Sequence, residues 1–137
     1  MLRICALAFY CVFSLLISKS DIQFRIIRNK DLLIFATISV VLNIPNHGVY
    51  FFRNLIPAVL LLLLLHLLFR NRIGAGDLKL FLVLIIWSDS FNQWLQFISL
   101  SWVLGGLFAI GYILQNRRFN TNIAFAPFIF VAFLGAI

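Results

Sequence analysis

The sequence predicts an all-α polytopic membrane helix bundle of about six transmembrane helices, its N-terminus outside, and three observations carry that expectation. Hydrophobic residues make up 64% of the 137 positions, against roughly 45–50% in an ordinary soluble domain, and the mean hydropathy is +1.08. Cutting the chain at its charged residues leaves six apolar stretches. The acids number 4, Asp21, Asp31, Asp77 and Asp89, with no Glu, against 11 Lys and Arg, for a net charge of +7.

In order, the stretches are Ile4–Ser18, Leu32–Phe52, Asn54–Phe69, Leu80–Ser88, Ser90–Asn116 and Phe119–Ile137. A spanning helix needs about 20 residues, so six of them leave only tight loops and no room for a separate soluble domain. Residues 1–137 are therefore expected to form one transmembrane domain, with backbone polar groups satisfied inside each helix. The first stretch also has the outline of a signal peptide, with a basic start and an apolar run. Lys19 within Ser18-Lys19-Ser20 suits a cleavage site poorly and favours retention. Pro45-Asn46-His47-Gly48 predicts a turn between the second and third helices. Leu80–Ser88 reaches spanning length only if the helix also takes in Gly76–Lys79 and part of Asp89–Trp94.

Lys and Arg stay on the cytoplasmic side during insertion. With the N-terminus outside, Lys19, Arg25, Arg28, Lys30, Arg70, Arg72, Lys79, Arg117 and Arg118 fall inside, leaving Arg3 and Arg53 outside. The basic excess thus records topology, and no nucleic-acid partner is expected; the partner it implies is the lipid bilayer.

Few residues could carry chemistry. Cys5 and Cys11 form no C-x-x-C pair of the kind that binds zinc, and read as small apolar fillers. His47 and His66 lie 19 positions apart with no Glu in the chain, so neither a metal site nor a cofactor is expected; His66 reads as packed in the bundle or facing a polar gap. No G-x-S-x-G elbow is present.

The aspartates remain, and an ionisable group at membrane depth is a functional candidate by default. Asp77 sits in Gly74-Ala75-Gly76-Asp77-Leu78-Lys79-Leu80, where two glycines let the backbone turn and approach a bound chain closely. Asp21 follows the first span, 56 positions earlier, and the assigned topology brings both to one face. Two close carboxylates share one proton: one serves as base toward water while the other, protonated, polarises a carbonyl. Structural readings compete, namely an i, i+4 pair of Asp21 with Arg25 and a macrodipole-favoured Asp77 at a helix start. Asp31 has no Arg four residues on, and Asp89 falls at the opposite interface beside Trp87 and Trp94, read as belt residues.

Gly74-Ala75-Gly76-Asp77 resembles the signature of the type IV prepilin peptidases, a family of membrane aspartic proteases. Asp21, Arg25, Ile27 and Asn29 fall in step with that family's first-aspartate pattern, and Ala124-Phe125-Ala126-Pro127-Phe128 resembles its C-terminal stretch. Arg28 and Ala124 stand where that family usually has proline. The resemblance implies Asp21 and Asp77 as a catalytic dyad, Gly74 and Gly76 as the active-site loop, and Arg25, Asn29, Lys79 and Pro127 as supporting positions. It implies an aspartic endopeptidase that removes the leader of a pilin-like precursor, of the Flp (tight-adherence) kind, at the cytoplasmic boundary of the bacterial inner membrane. The substrate helix is expected beside the bundle with its flanking strand paired to Gly74–Asp77. Larger members carry a cytoplasmic insertion with paired C-x-x-C ligands, linked to methylation. The short segment from Lys19 to Lys30 has no Cys, so no methyltransferase activity is expected. Two rivals come from other classes: an inert membrane protein that assembles partner helices, with Gly105, Gly106, Ala109 and Gly111 as its small-residue face, or a small transporter. Internal packing accounts for that small-residue face as well, and few polar groups sit at mid-membrane depth for transport.

Overall fold

The computed structural model describes residues 2–69, 73–116 and 123–136. Arg70, Arg72, Arg117 and Arg118, and the side chains of Arg3 and His47, lie outside the described part. The bundle is all-helical: α1 (Leu2–Phe24), α2 (Asn29–Leu68), α3 (Ala75–Leu84), a 3-10 turn (Ile85–Trp87), α4 (Phe91–Asn116) and α5 (Ala126–Ala136).

The expected turn at Asn46-His47-Gly48 is not a break, because helical backbone runs on through it from Asn29 to Leu68. Even so, α2 is not straight. Lys79 bonds Asn29 at the start of α2 and lines one cavity with His66 at its end. His66 is 37 residues after Asn29, roughly 55 Å along a straight helix, further than one side chain and one cavity can bridge. Aromatic pairing agrees: Phe35 stacks on Trp87, so the first limb runs alongside α3, while Leu62 and His66 return against Leu82 and Ala75. The axis therefore turns back between the limbs, in a stretch that holds Pro45, Gly48 and Pro57, residue types that bend helices. Counting both limbs of α2, the described residues form six helical limbs.

Among the described residues, three stretches are long and apolar enough to cross a bilayer, Leu7–Phe24, Phe51–Leu68 and Phe91–Gln115. α3 starts at Ala75 and so takes in Gly76–Lys79 as the fourth span requires, but the 3-10 turn ends at Trp87, short of the Asp89–Trp94 extension. Together these two make about 21 Å at 1.5 and 2.0 Å per residue. The short elements are central: Leu80, Phe81, Leu84, Ile85 and Ile86, and Ala126, Ile129, Phe130 and Phe133 of α5, are all buried. The longer helices carry most of the exposed apolar residues, among them Leu15, Leu67 and Leu114, with Val131 and Leu134 of α5 exposed as well, the distribution expected of a surface solvated by lipid.

The centre is aromatic. Tyr10 packs edge-on to Trp87 and Phe130, and its hydroxyl donates to the Phe130 carbonyl at 3.0 Å, which joins α1 to α5. Trp94 is fully buried, its indole N–H donating to the Phe81 carbonyl at 2.9 Å. It is thus a core residue rather than a belt residue, and Trp87, half-buried, packs against Tyr10, Phe35 and Phe133. Cys5 and Cys11 are free and exposed, and His66 is exposed on the rim of a cavity instead of packed inside.

Only part of the small-residue face in α4 serves internal packing. A Cβ on Gly105 would run into the Phe125 ring, whereas one on Gly106 or Gly111 would meet nothing within 4 Å. Gly105→Ala is therefore expected to lower stability by about 1–3 kcal/mol through overpacking. Gly106→Ala should leave it unchanged or raise it by up to about 1 kcal/mol through helix propensity. Denaturant unfolding of the two variants in detergent micelles measures the contrast.

Candidate active site

α1 continues past its apolar run to Phe24 and places Asp21 in its last turn. Arg25 then takes a left-handed backbone, φ 54, with its amide still bonded to the Asp21 carbonyl at 2.8 Å. A residue in this conformation ends a helix, so the chain leaves α1 one turn beyond Asp21 and starts α2 at Asn29. Asp21 itself is buried, 7% exposed. Its carboxylate accepts the Ala126 amide at 2.9 Å across 105 positions, so the N-terminus of α5, the positive end of its dipole, meets an acid from α1. Pro127 follows inside that first turn, where a missing N–H is harmless.

Asp77 lies in the first turn of α3, ahead of the apolar run that begins at Leu80. Its amide and that of Leu78 donate to the Gly74 carbonyl at 3.1 and 3.3 Å. Burial pushes its carboxyl up from 3.8, and the facing charge of Asp21 pushes it further, to about 7. The two aspartates are thereby close enough to interact, although 56 positions apart in sequence. The bundle brings together α1, α3 and the start of α5 at one end.

The glycines act differently from expectation. None of the described glycines has positive φ, and Gly76 and Asp77 are helical rather than loop, so the segment does not offer an extended edge for strand pairing. What both glycines permit is close approach. A Cβ on Gly74 would come within 2.9 Å of Asp77 Oδ2, and one on Gly76 within 3.1 Å of Ile27 Cβ. Gly74 leaves room for the acid and Gly76 lets α3 seat on the segment that follows Asp21.

Lys79 and Asn29 gain a role that the sequence alone did not supply. Lys79 Nζ donates to Asn29 Oδ1 at 3.1 Å, which ties the first turns of α3 and α2 together beside the acids. Arg25 lines a cavity with Ile22, Ala124 and Pro127. Asp31, in the first turn of α2, lines a different cavity with Lys19 and Gln23. Asp89 lies beyond the 3-10 turn at the far end of α3, its amide bonded to Gln93 Oε1 at 2.9 Å. Ala126 and Ile27 are contributors that inspection for chemical side chains overlooked, since one acts through its amide and the other through shape. Pro127 was the available signal for the first, because proline one residue inside a helix start marks amides free to meet an anion.

Among the described residues, no group of three His, Cys, Asp or Glu side chains is arranged to hold a metal ion. The arrangement supports acid–base work on a water molecule by two carboxyl groups, one of which keeps its proton to near neutrality.

A family model described as the type IV leader peptidase family matches residues 8–110. The match includes Asp21, the Gly74–Asp77 segment and Lys79, and ends before the Ala124–Phe128 stretch. No curated protein matches, and no solved structure matches.

Because Asp77 carries a raised folded-state value, its neutral form is favoured, and its stabilising contribution is complete below about pH 4 and lost as pH rises through about 7. Infrared titration of the carboxyl band in micelles should find a carboxyl that ionises near pH 7 and is missing in Asp77→Asn. In Asp21→Asn that transition is expected to move down, yet to stay above 3.8, since burial is the larger cause. Gly74→Ala, by displacing the carboxylate, should alter this transition more than Gly76→Ala does.

Proposed function

The chain belongs to the type IV leader peptidase family, and from that premise we propose that it is an aspartic endopeptidase in which Asp21 and Asp77 form the catalytic dyad. The observation that carries the reading is the pair of mutually interacting carboxyls on different helices, one of them keeping its proton to about pH 7. Its substrate is a pilin-like precursor, of the Flp kind, whose basic leader is removed at the cytoplasmic boundary of the inner membrane. The end of the bundle that holds Asp21, Asp77, Lys79 and Arg25 faces the cytoplasm, consistent with the clustering of Lys and Arg there.

The chemistry follows from the unequal pair. The Asp21 carboxylate takes a proton from a water molecule as the water oxygen bonds to the scissile carbonyl carbon. The Asp77 carboxyl hydrogen bonds the carbonyl oxygen and gives up its proton to it, so that a gem-diol forms. Proton transfer from Asp21 to the leaving nitrogen then allows the C–N bond to break. The carbonyl is restored as a carboxylic acid when a gem-diol hydroxyl returns its proton to Asp77, and the dyad regains its single proton. Gly74, by its lack of a side chain, leaves Asp77 Oδ2 its position. The Lys79–Asn29 bond and the Ala126–Asp21 bond hold the three helix ends around the reacting atoms.

Co-expression with a candidate precursor tests this by the mobility of the precursor on gels. Asp21→Asn and Asp77→Asn are each expected to abolish processing, with a loss of roughly a thousandfold or more, in the range seen when a member of a catalytic unit is removed. Asp31→Asn and Asp89→Asn should process as the unsubstituted chain does. The rate in micelles should fall about tenfold per pH unit above pH 7 as Asp77 loses its proton. Processing that survives either dyad substitution sinks the assignment and leaves the helix-assembling protein as the better reading.

A further inference from the structure

A cavity of about 370 Å³ opens between the end of α1, the second half of α4 and the start of α5. Its walls are close in sequence to the groups that hold Asp21: Ile22 is the next residue after Asp21, and Pro127 follows Ala126, whose amide binds the Asp21 carboxylate. Phe108 and Phe128 supply the opposing aromatic surface, with ring centroids 5.1 Å apart. The mouth is apolar too: Ile22 is 61% and Phe108 51% exposed, and Leu107 and Ile110 beside it are exposed as well. Arg25 and Tyr112 are the polar side chains of the wall.

On this basis, and resting on the peptidase reading, we infer that this groove binds the first apolar side chains on the helix side of the scissile bond, while the basic leader leaves in another direction. Two features support the assignment: the lining includes the residue that follows Asp21 and the one that follows Ala126, and the exposed wall is apolar, which suits the substrate helix rather than a basic leader. Its volume falls within the usual range for ligand pockets, about 300–1,000 Å³, and admits large side chains. Two surfaces described above differ in these respects. The cavity shared by His66 and Lys79 lies against the second limb of α2, away from α1 and α5. The one lined by Lys19, Gln23, Arg28 and Asp31 is largely charged and polar.

Ala124 and Phe108 set the width of the groove, which makes its occupancy testable by size. Full-length precursors carrying Ala, Leu or Phe at the first position after the scissile bond are cleaved in micelles by the unsubstituted chain, by Ala124→Leu and by Phe108→Ala. The readout is the ratio of kcat/KM for the Phe and Ala precursors within each preparation, so that a smaller folded fraction cancels. The unsubstituted chain should favour Phe over Ala by about tenfold or more, the scale on which an apolar pocket discriminates. Ala124→Leu should lower that ratio about tenfold by filling the groove, and Phe108→Ala should lower it by removing the wall on which the ring packs. Cleavage with the same ratio in all three proteins overturns the groove assignment and leaves the dyad untouched. No cleavage of any precursor by the unsubstituted chain overturns the peptidase reading itself.

Discussion

The amide of Ala126 donating to the Asp21 carboxylate joins the first helix to the last, and the shape of the end that holds the two acids depends on it. An acid at the end of an apolar helix has to be hydrated or paired. Here a helix start, with amides unused by its own backbone, supplies the partner. The bond brings α5 to rest against α1, and the Tyr10 hydroxyl makes a second tie between them further along. α5 is only eleven residues long, and its burial among the longer helices lets so short an element hold a position.

A second constraint opposes the first. Asp77 is forced close to Asp21 in a setting that disfavours a second charge, and the result is a carboxyl that stays protonated to near neutrality. Such a pair would separate if the bundle allowed it. The Lys79–Asn29 bond and the seating of Gly76 on Ile27 oppose that, so helix packing maintains the proton inequality on which the proposed mechanism relies. Residues with no chemistry of their own thereby govern the acids, and the glycines contribute through absent atoms rather than through unusual torsions.

The lipid-facing design explains the uneven helix lengths. Helices that meet the bilayer need about 20 apolar residues, and the stretches in α1, the second limb of α2 and α4 approach or exceed that. α3 and α5 carry the acid and the amide, and they contribute buried residues to the core, where shorter elements suffice. A bundle built this way leaves an opening between long and short helices, and the cavity beside Asp21 lies at one such junction.

Much was legible from the chain alone. Hydropathy and the scarcity of charge determine a membrane helix bundle, because an unpaired backbone has no place in hydrocarbon. The shortage of acids narrowed the candidates to four, and the local patterns around Asp21 and Asp77 singled out two of them. The sequence could not decide how those two are supported. That Ala126 caps Asp21, that Gly74 makes room for Asp77 and that Lys79 holds Asn29 are contacts across 105, 3 and 50 positions, two of them between separate helices. That Trp94 is core rather than belt was likewise out of reach, since a tryptophan near a helix end has the same hydropathy in either place. The reversal of α2 within helical backbone escaped for a related reason: proline and glycine announce a bend, but its angle is set by what the two limbs pack against. Composition and local pattern thus determine what the chain is made to do, and tertiary packing decides which atoms meet to do it.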